Sequence, residues 1–206
     1  TTGDMLSGKV ARLNKSNKRK AIFLDRDGVI NREVGDMRTP EQFELIENVS
    51  SAIRKINKSE YLAIVITNQP GLAKKFFTFQ TLDEIHEKMD TLLGRDGAYL
   101  NGLYYCPHHP DGGFPEEIPE LKINCECRKP KPQLIFNAEK EFNIDLKNSY
   151  FIGDRYVDVM AGKNAGLITV LVKTGHNGID REKYNVEPDY VFDTLPDAIN
   201  FILEGL

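Results

Sequence analysis

Short strand-like runs alternate with amphipathic segments over most of this chain. Strands are predicted at residues 21–24, 61–66, 102–105, 149–154, 167–172 and 190–192. Between the first two runs, the apolar residues Val49, Ala52, Ile53 and Ile56 recur at helical spacing. Continuous apolar strands are typical of parallel sheets covered on both faces, and their alternation with helices predicts an α/β fold. We therefore expect a doubly wound, mainly parallel sheet of the Rossmann-like type.

A second amphipathic segment carries its apolar residues on one face, which we expect to pack in the core. These residues are Phe79, Leu82, Ile85, Met89, Leu92 and Leu93. Thr81 and Glu84 resemble a capping box at the start of this helix. His86 falls on its polar side, where we expect it to lie at the surface. Further helices are predicted after Pro132 and from Pro196 onward, because proline is favoured in the first helical turn.

Composition and charge narrow the class of protein. The chain has 206 residues, of which 40% are hydrophobic, and its net charge is −4. That size suits one globular domain, over residues 20–206, and the negative charge argues against broad nucleic-acid binding. Residues 1–19 lack apolar periodicity, and we expect a basic linker or the stub of an upstream domain there.

The sequence also indicates a cellular compartment. No apolar run is long enough to span a membrane, and the polar, basic N-terminus does not resemble a signal peptide. The three cysteines are an odd number, which favours a reducing compartment over a disulfide framework. We therefore expect a monomeric, cytoplasmic protein without a membrane or nucleic-acid partner.

Polar side chains follow three of the predicted strands. Asp25 and Asp27 follow the first, Thr67 and Asn68 the second, and Asp154 the fourth. In open α/β sheets, ligands bind beyond the carboxyl ends of the strands. Asp25 and Asp154 could hold Mg²⁺, and Asp25 and Asp27 could divide the roles of nucleophile and proton donor. The Thr67 hydroxyl and the Asn68 amide could hold phosphate oxygens. The alternative is a set of ordinary polar turns.

All three cysteines fall in one segment beside two of the four histidines. Soft ligands in tetrahedral geometry are what Zn²⁺ prefers, and a closed Cys₃His site would hold a loop that has few apolar residues. The loop covers about residues 106–129, and His109 is an alternative to the expected histidine ligand. The expected ligands are Cys106, His108, Cys125 and Cys127. The alternative interpretation is buried free thiols and surface histidines.

Two cations, Arg128 and Lys129, follow the cysteine segment directly. Arginine suits bidentate contact with phosphate, and lysine supplies a point charge. On charge alone, solvated basic residues would be the favoured interpretation. A metal-bound loop before them would instead fix where both side chains point.

These motifs, taken in order, resemble the haloacid-dehalogenase-like phosphatases over about residues 20–175. The resemblance rests on Asp-x-Asp-Gly, Thr-Asn, Lys-Pro and Gly-Asp-x-x-x-Asp, which here contain Asp25/Asp27, Thr67/Asn68, Lys129 and Asp154/Asp158. It implies an α/β fold of the haloacid-dehalogenase type. No segment is large enough for the separate cap domain of many members.

The resemblance also implies a mechanism. Asp25 would attack phosphorus and form an aspartyl phosphate, and Asp27 would serve as acid and then base. Mg²⁺ would be held by Asp25, Asp154 and the backbone carbonyl of Asp27. Thr67 and Lys129 would hold the transferring phosphoryl oxygens. The residues expected to contact substrate are Asn68, Arg128, Arg155, Glu33 and Asp36.

Within the superfamily, the cysteine and histidine segment is similar to the zinc-containing branch, which includes heptose-bisphosphate and histidinol-phosphate phosphatases. The length of the loop between His108 and Cys125 favours the former, which act in the synthesis of lipopolysaccharide or surface-polysaccharide precursors. A small phosphorylated sugar is the expected substrate, and residues 1–19 resemble a joint to an upstream nucleotidyltransferase domain. The alternatives are a histidinol-phosphate phosphatase, a non-catalytic zinc-knuckle module and a nucleic-acid 3′-phosphatase.

Overall fold

A six-stranded parallel sheet forms the centre of the protein. The computed structural model describes residues 18–205, so most of the predicted lead-in, residues 1–17, lies outside the described residues. The strand order is β3-β2-β1-β4-β5-β6, and every neighbouring pair is parallel. The strands are β1 (Lys20–Leu24), β2 (Tyr61–Asn68), β3 (Gly102–Cys106), β4 (Tyr150–Gly153), β5 (Ile168–Val172) and β6 (Tyr190–Phe192). The predicted sheet is confirmed.

Five α-helices cover the two faces of this sheet. They are α1 (Val49–Asn57), α2 (Phe79–Arg95), α3 (Gln133–Phe142), α4 (Tyr156–Ala165) and α5 (Leu195–Glu204). Successive side chains of a strand point to opposite faces, so β1 contributes to two separate cores. Ile22 and Leu24 pack with α1, α2 and α5, whereas Ala21 and Phe23 pack with α3 and α4. The sheet is therefore doubly wound, as predicted.

Helix α2 differs from its prediction in three respects. Its N-cap is Thr78, whose hydroxyl accepts the Thr81 amide at 3.1 Å, so the capping box predicted from Thr81 and Glu84 is wrong. Phe79, the first helical residue, is 46% exposed, and the buried face begins one turn later at Leu82. His86 is half-buried rather than on the surface, because it contacts a buried arginine described below.

Short 3₁₀ turns and irregular loops make the remaining connections. No helix in the described part of the chain is long and apolar enough to cross a membrane. Because β1 lies between β2 and β4, the carboxyl ends of these three strands meet in the middle of one sheet edge. The polar residues that follow them are thereby brought together.

Candidate active site

A cavity of about 280 Å³ opens at the carboxyl ends of β1, β2 and β4. The structure thus brings to one place polar residues that lie more than a hundred positions apart in the sequence. Every residue predicted to act in catalysis or to contact substrate lines this cavity. These are Asp25, Asp27, Glu33, Asp36, Thr67, Asn68, Arg128, Lys129 and Arg155.

Lys129 is a buried cation of the site, with 3% of its surface exposed. Its Nζ lies 2.9 Å from Asp25 Oδ1 and 2.7 Å from Asp158 Oδ1, and it donates to the Ile66 carbonyl at 3.0 Å. Burial would lower the pKa of Lys129, but the two carboxylates outweigh it and raise the pKa. The ammonium group therefore remains charged and directed at Asp25.

Asp25 is held through one oxygen only. Its Oδ1 accepts the Arg26 amide at 2.7 Å and faces Lys129. Its Oδ2 accepts no hydrogen bond from any of the described residues, and Asp25 lines the cavity. A carboxylate fixed by one oxygen, with the other open to a cavity, is arranged to act as a nucleophile.

Three carboxylates converge beside the cavity. Ligand atoms of Asp25, Asp154 and Asp158 all lie within 4.8 Å of one another. The Asp154 Oδ1 is buried and has no hydrogen-bond partner within residues 18–205. Burial, and next the charge of Asp25, raise the pKa of Asp154, and burial also raises the pKa of Asp158 against the effect of Lys129. A cluster of mutually repelling acids with an unpartnered buried oxygen on Asp154 fits a divalent cation.

The predicted magnesium ligands are brought together in part. Asp25 and Asp154 belong to the cluster, and Asp158 joins them from the first turn of α4. The side chain of Asp27 is not in this cluster, because it is bound by other residues. Its role as a ligand through the backbone carbonyl stays a prediction.

Two glycines let the chain close around Asp154. Gly28 has φ +81°, and a Cβ there would lie 2.4 Å from Asp154 Oδ2. A Cβ at Gly175 would lie 2.3 Å from the same oxygen. His176 follows, and its backbone amide donates to Asp154 Oδ2 at 2.6 Å. A side chain at either glycine would displace the carboxylate, so both positions serve the acid cluster.

Asp27 receives hydrogen bonds from three side chains. Arg26 Nη2 donates to Oδ1 and Oδ2 at 2.8 and 2.9 Å, Asn31 Nδ2 donates to Oδ1 at 3.0 Å, and Gln69 Nε2 donates to Oδ2 at 2.8 Å. Burial alone would raise the pKa of Asp27, but Arg26 and these hydrogen bonds outweigh it and lower the pKa. Asp27 is thus held as a carboxylate in the cavity wall.

Thr67 and Asn68 follow β2 and are oriented by their neighbours. Thr67 is 1% exposed, and its hydroxyl accepts Gln69 Nε2 at 3.0 Å. The Asn68 amide pairs with the backbone of Lys129, with Oδ1 accepting from the amide at 3.0 Å and Nδ2 donating to the carbonyl at 3.2 Å. Asn68 therefore braces Lys129, a role the sequence did not predict. Its predicted contact with substrate stays a prediction.

Two arginines and two carboxylates form the rim of the cavity. Arg128 donates to the His108 carbonyl at 3.1 Å, which ties it to the cysteine loop. Arg155 Nε lies 3.4 Å from the buried Asp180. On the opposite loop, burial raises the pKa of the half-buried Glu33, and Asp36 is exposed.

The cysteine segment forms one compact cluster beside the site. The Sγ atoms of its three cysteines lie 3.2–3.5 Å apart, and His108 Nδ1 lies 3.3 Å from Cys127 and 3.7 Å from Cys106. These separations suit tetrahedral ligation, and they exceed the roughly 2 Å bond of a disulfide. Cys106, His108, Cys125 and Cys127 could therefore hold zinc. The alternative ligand, His109, lies outside the cluster and contacts Asp111 and Phe114 instead.

Several residues of the site were not predicted from the sequence. Gln69 directly follows the Thr-Asn motif, which was the available signal for it. Asp158 is the second acid of the Gly-Asp-x-x-x-Asp motif, for which the sequence predicts no separate role. Arg26, His86 and His176 carried no local signal, because their positions depend on contacts across the sheet edge.

Comparisons of sequence and structure relate this chain to known phosphatases. A HAD-hydrolase-like family model matches residues 126–198. The D-glycero-beta-D-manno-heptose-1,7-bisphosphate 7-phosphatase of Haemophilus ducreyi is 38% identical over 186 residues, covering 89% of this chain and 98% of that protein. The Escherichia coli protein of the same name is 39% identical over 178 residues, covering 86% and 90%.

A solved structure supports the same assignment. The crystal structure of D,D-heptose 1,7-bisphosphate phosphatase from B. bronchiseptica, complexed with magnesium and phosphate, has a TM-score of 0.79 and 29% identity. The match covers 91% of this chain and 99% of that one. The chain belongs to the heptose-1,7-bisphosphate 7-phosphatase family of haloacid-dehalogenase-like hydrolases.

Proposed function

We propose that this protein is a Mg²⁺-dependent phosphatase that removes the 7-phosphate of D-glycero-D-manno-heptose 1,7-bisphosphate. The observation that carries the proposal is the geometry of Asp25, with one oxygen fixed by Lys129 and the other open to the cavity. The names of the relatives support the substrate. The reaction would belong to the synthesis of heptose precursors for lipopolysaccharide or surface polysaccharides.

The first step transfers the phosphoryl group to the protein. Asp25 Oδ2 attacks phosphorus, a new O–P bond forms, and the bond from phosphorus to the sugar oxygen breaks. The leaving oxygen takes the proton of the Asp27 carboxyl group, so the heptose departs as an alcohol. Lys129 Nζ and the Thr67 hydroxyl donate to the phosphoryl oxygens, whose charge needs preorganised donors.

The second step hydrolyses the aspartyl phosphate. The Asp27 carboxylate takes a proton from water, the water oxygen bonds to phosphorus, and the bond to Asp25 Oδ2 breaks. Inorganic phosphate and the original carboxylate result. The lowered pKa of Asp27 favours the ionised form that this step requires, so the protonated form used in the first step is the minor one.

Two metal sites fit the residues present. Asp25, Asp154 and Asp158 would surround Mg²⁺, with the Asp27 carbonyl as a further ligand. When bound, Mg²⁺ neutralises charge on the transferring phosphate. Zinc in the cysteine cluster would stabilise the loop of residues 106–129, from which Arg128 and Lys129 extend.

The second phosphate of the substrate requires cations away from the nucleophile. Arg128 and Arg155 lie on the rim of the cavity and are the candidates for it. Glu33 and Asp36 are candidates for sugar hydroxyls, which carboxylates accept as donors. Because residues 18–205 form no separate cap domain, the site suits a small substrate that enters from solvent.

The remaining expectations about the protein stay proposals. We propose a cytoplasmic protein, because three free thiols in a zinc-type cluster suit a reducing compartment. That the protein is a monomer stays a prediction. A fusion to an upstream nucleotidyltransferase would concern residues 1–19. Histidinol-phosphate phosphatase is the second candidate, because it would use the same nucleophile and phosphoryl donors.

Phosphate release with Mg²⁺ tests the proposal. Heptose 1,7-bisphosphate and histidinol phosphate are compared at equal concentrations, with Asp25→Asn as the matched control. We expect a strong preference for the heptose and no turnover by Asp25→Asn. A preference for histidinol phosphate would overturn the assigned substrate. Full activity of Asp25→Asn would exclude the aspartyl-phosphate mechanism. No release by the wild type from these or other phosphate esters would leave the non-catalytic zinc module as the better interpretation.

A further inference from the structure

A buried arginine separates the two acids of the Asp-x-Asp motif. Arg26 is 1% exposed, although it lines the cavity together with the acids on either side of it. A charged side chain is seldom buried so completely unless it is paired. Its principal ion-pair partner is Asp27, the residue assigned to proton transfer. The buried charge of Arg26 therefore contacts a group that takes part in the proposed reaction.

The guanidinium group makes contacts on two sides. Toward the cavity, Nη2 donates to both oxygens of Asp27 at 2.8 and 2.9 Å, and Nε lies 3.3 Å from Oδ1. Away from the cavity, Nη1 lies 3.2 Å from His86 Nε2 on helix α2. The contact to His86 supports the guanidinium group on the side away from Asp27.

His86 can act only as an acceptor in this contact. A guanidinium group has donors and no acceptor, so Nε2 must carry the lone pair and Nδ1 the proton. Burial and the charge of Arg26 lower the pKa of His86 to about 4, which keeps the ring neutral near pH 7. The ring packs against Tyr105 of β3, with centroids 5.9 Å apart. Helix α2 and strand β3 thus support Arg26 from behind.

Gln69 completes the arrangement and fixes its direction. Its Oε1 accepts Arg26 Nη2 at 3.2 Å, while Nε2 donates to Asp27 Oδ2 at 2.8 Å and to the Thr67 hydroxyl at 3.0 Å. One amide therefore connects the proton-transfer carboxylate to the hydroxyl assigned to the phosphoryl oxygens. Rotation of the Asp27 side chain would break bonds to both Arg26 and Gln69.

We propose that Arg26, supported by His86 and Gln69, is the positioning residue that holds the Asp27 carboxyl group in place for proton transfer. The inference rests on the proposed function, since it assigns Asp27 to protonation of the leaving oxygen. Arg26 acts on the reaction only through Asp27, to whose two oxygens it donates. Its effect is to keep the proton-transfer group within reach of the leaving oxygen and beside Thr67.

The leaving group of the substrate separates this role from a general structural one. A sugar alkoxide needs a proton when it leaves, whereas 4-nitrophenolate leaves without one. The parameter kcat/KM covers steps only up to departure of the leaving group, so it isolates the acid role from the later hydrolysis. Loss of positioning should therefore reduce kcat/KM for the sugar phosphate much more than for 4-nitrophenyl phosphate.

Four variants test the proposal. Gln69→Leu removes the bridge, and the exposed Gln80→Leu is its matched control. His86→Leu removes the acceptor behind Arg26, and His86→Gln restores an acceptor. We expect Gln69→Leu to lower kcat/KM for the heptose bisphosphate by about 10²-fold, within the range of general acid catalysis, and for the aryl phosphate by less than about 3-fold. His86→Leu should show the same selectivity with a smaller fall, and His86→Gln and Gln80→Leu should match the wild type.

The outcomes distinguish this inference from the proposed function. Equal losses on both substrates, or no loss from Gln69→Leu and His86→Leu, would overturn the positioning role. Folding of each variant is checked by circular dichroism, and the His86 pair keeps the test valid if Gln69→Leu misfolds. A wild-type protein active on aryl phosphate but inactive on heptose bisphosphate would overturn the function alone. The variant ratios would then be measured with an alkyl phosphate that the wild type hydrolyses.

Discussion

Replacement of Lys129 by methionine tests the electrostatics on which the site depends. Methionine keeps an unbranched, apolar stem of similar length and removes the charge. Lys129 Nζ contacts Asp25 at 2.9 Å, Asp158 at 2.7 Å and the Ile66 carbonyl at 3.0 Å, and the residue is 3% exposed. The substitution would leave two buried carboxylates and a carbonyl without their cation.

The expected loss of stability follows from these contacts. Removing one partner of a buried ion pair typically costs about 3–5 kcal/mol, against a total stability of about 5–15 kcal/mol for a domain. Removing one charged donor from the transferring phosphoryl group should also lower kcat by about 10²–10³-fold. Mg²⁺ should stabilise Lys129→Met more than the wild type, because a cation among the remaining carboxylates offsets their repulsion.

Urea denaturation followed by circular dichroism, with and without millimolar Mg²⁺, measures the loss of stability and its response to Mg²⁺. Phosphate release measures the fall in kcat. The matched control is Lys131→Met, from the same Lys-Pro-Lys-Pro segment, whose half-exposed ammonium group pairs with Glu126. That control should cost less than about 1 kcal/mol, as is usual for surface ion pairs. A Lys129→Met protein as stable as Lys131→Met, with no added response to Mg²⁺, would refute the description of the site as a buried ion cluster.

Three further predictions follow from the structure. Removal of zinc by a chelator should increase hydrogen exchange in residues 106–129 and leave the sheet intact; loss of all structure would contradict a local role for the metal. Arg128→Ala should raise KM about 10-fold with little change in kcat, as expected for loss of a charged contact to a second phosphate; equal losses in kcat and kcat/KM would place Arg128 at the transferring phosphate instead. His86 faces Arg26, Asp27 and Tyr105, and its pKa is lowered from 6.5 to about 4. Between these two pH values the unfolded chain binds a proton that the folded protein does not. The free energy of unfolding should therefore fall as the pH falls through that window, by at most about 3 kcal/mol. Urea denaturation of the wild type and His86→Gln between pH 7 and about pH 4 checks this, and parallel curves would contradict it.

The central part of the fold could be predicted from the sequence because its signals are local. Buried strands such as β1 and β2 are continuous apolar runs, and they end at polar residues that mark the ligand-binding edge. Both faces of β1 are buried, which matches the lack of alternation in Ala21 to Leu24. The order of strands and helices then left few possible topologies.

The parts that could not be predicted depend on contacts between distant residues. Thr78 and Thr81 both suit an N-cap, and only the path of the preceding loop decides between them. The sequence predicts His86 to lie at the surface because it falls on the polar side of its helix. Its contact with Arg26, which follows β1, makes that position part of the site. Sequence spacing gave no sign that an arginine between two cavity-lining acids would turn into the interior.

The sequence predicts which residues belong to the candidate site, but not which of them contact one another. The sequence predicted Asp25, Lys129 and Asp154 as members of the site, and all three meet beside the cavity. It did not predict that Asn68 would bind the Lys129 backbone, because that requires the cysteine loop to pass over the end of β2.

The position of the remaining phosphate in the product is the most direct test of the proposed 7-phosphatase activity. The protein is incubated with Mg²⁺ and heptose 1,7-bisphosphate, and the sugar product is examined by phosphorus nuclear magnetic resonance with proton coupling. We expect heptose 1-phosphate, whose single phosphorus couples to the anomeric proton. A product that keeps its phosphate at carbon 7, or an unchanged bisphosphate, would contradict it.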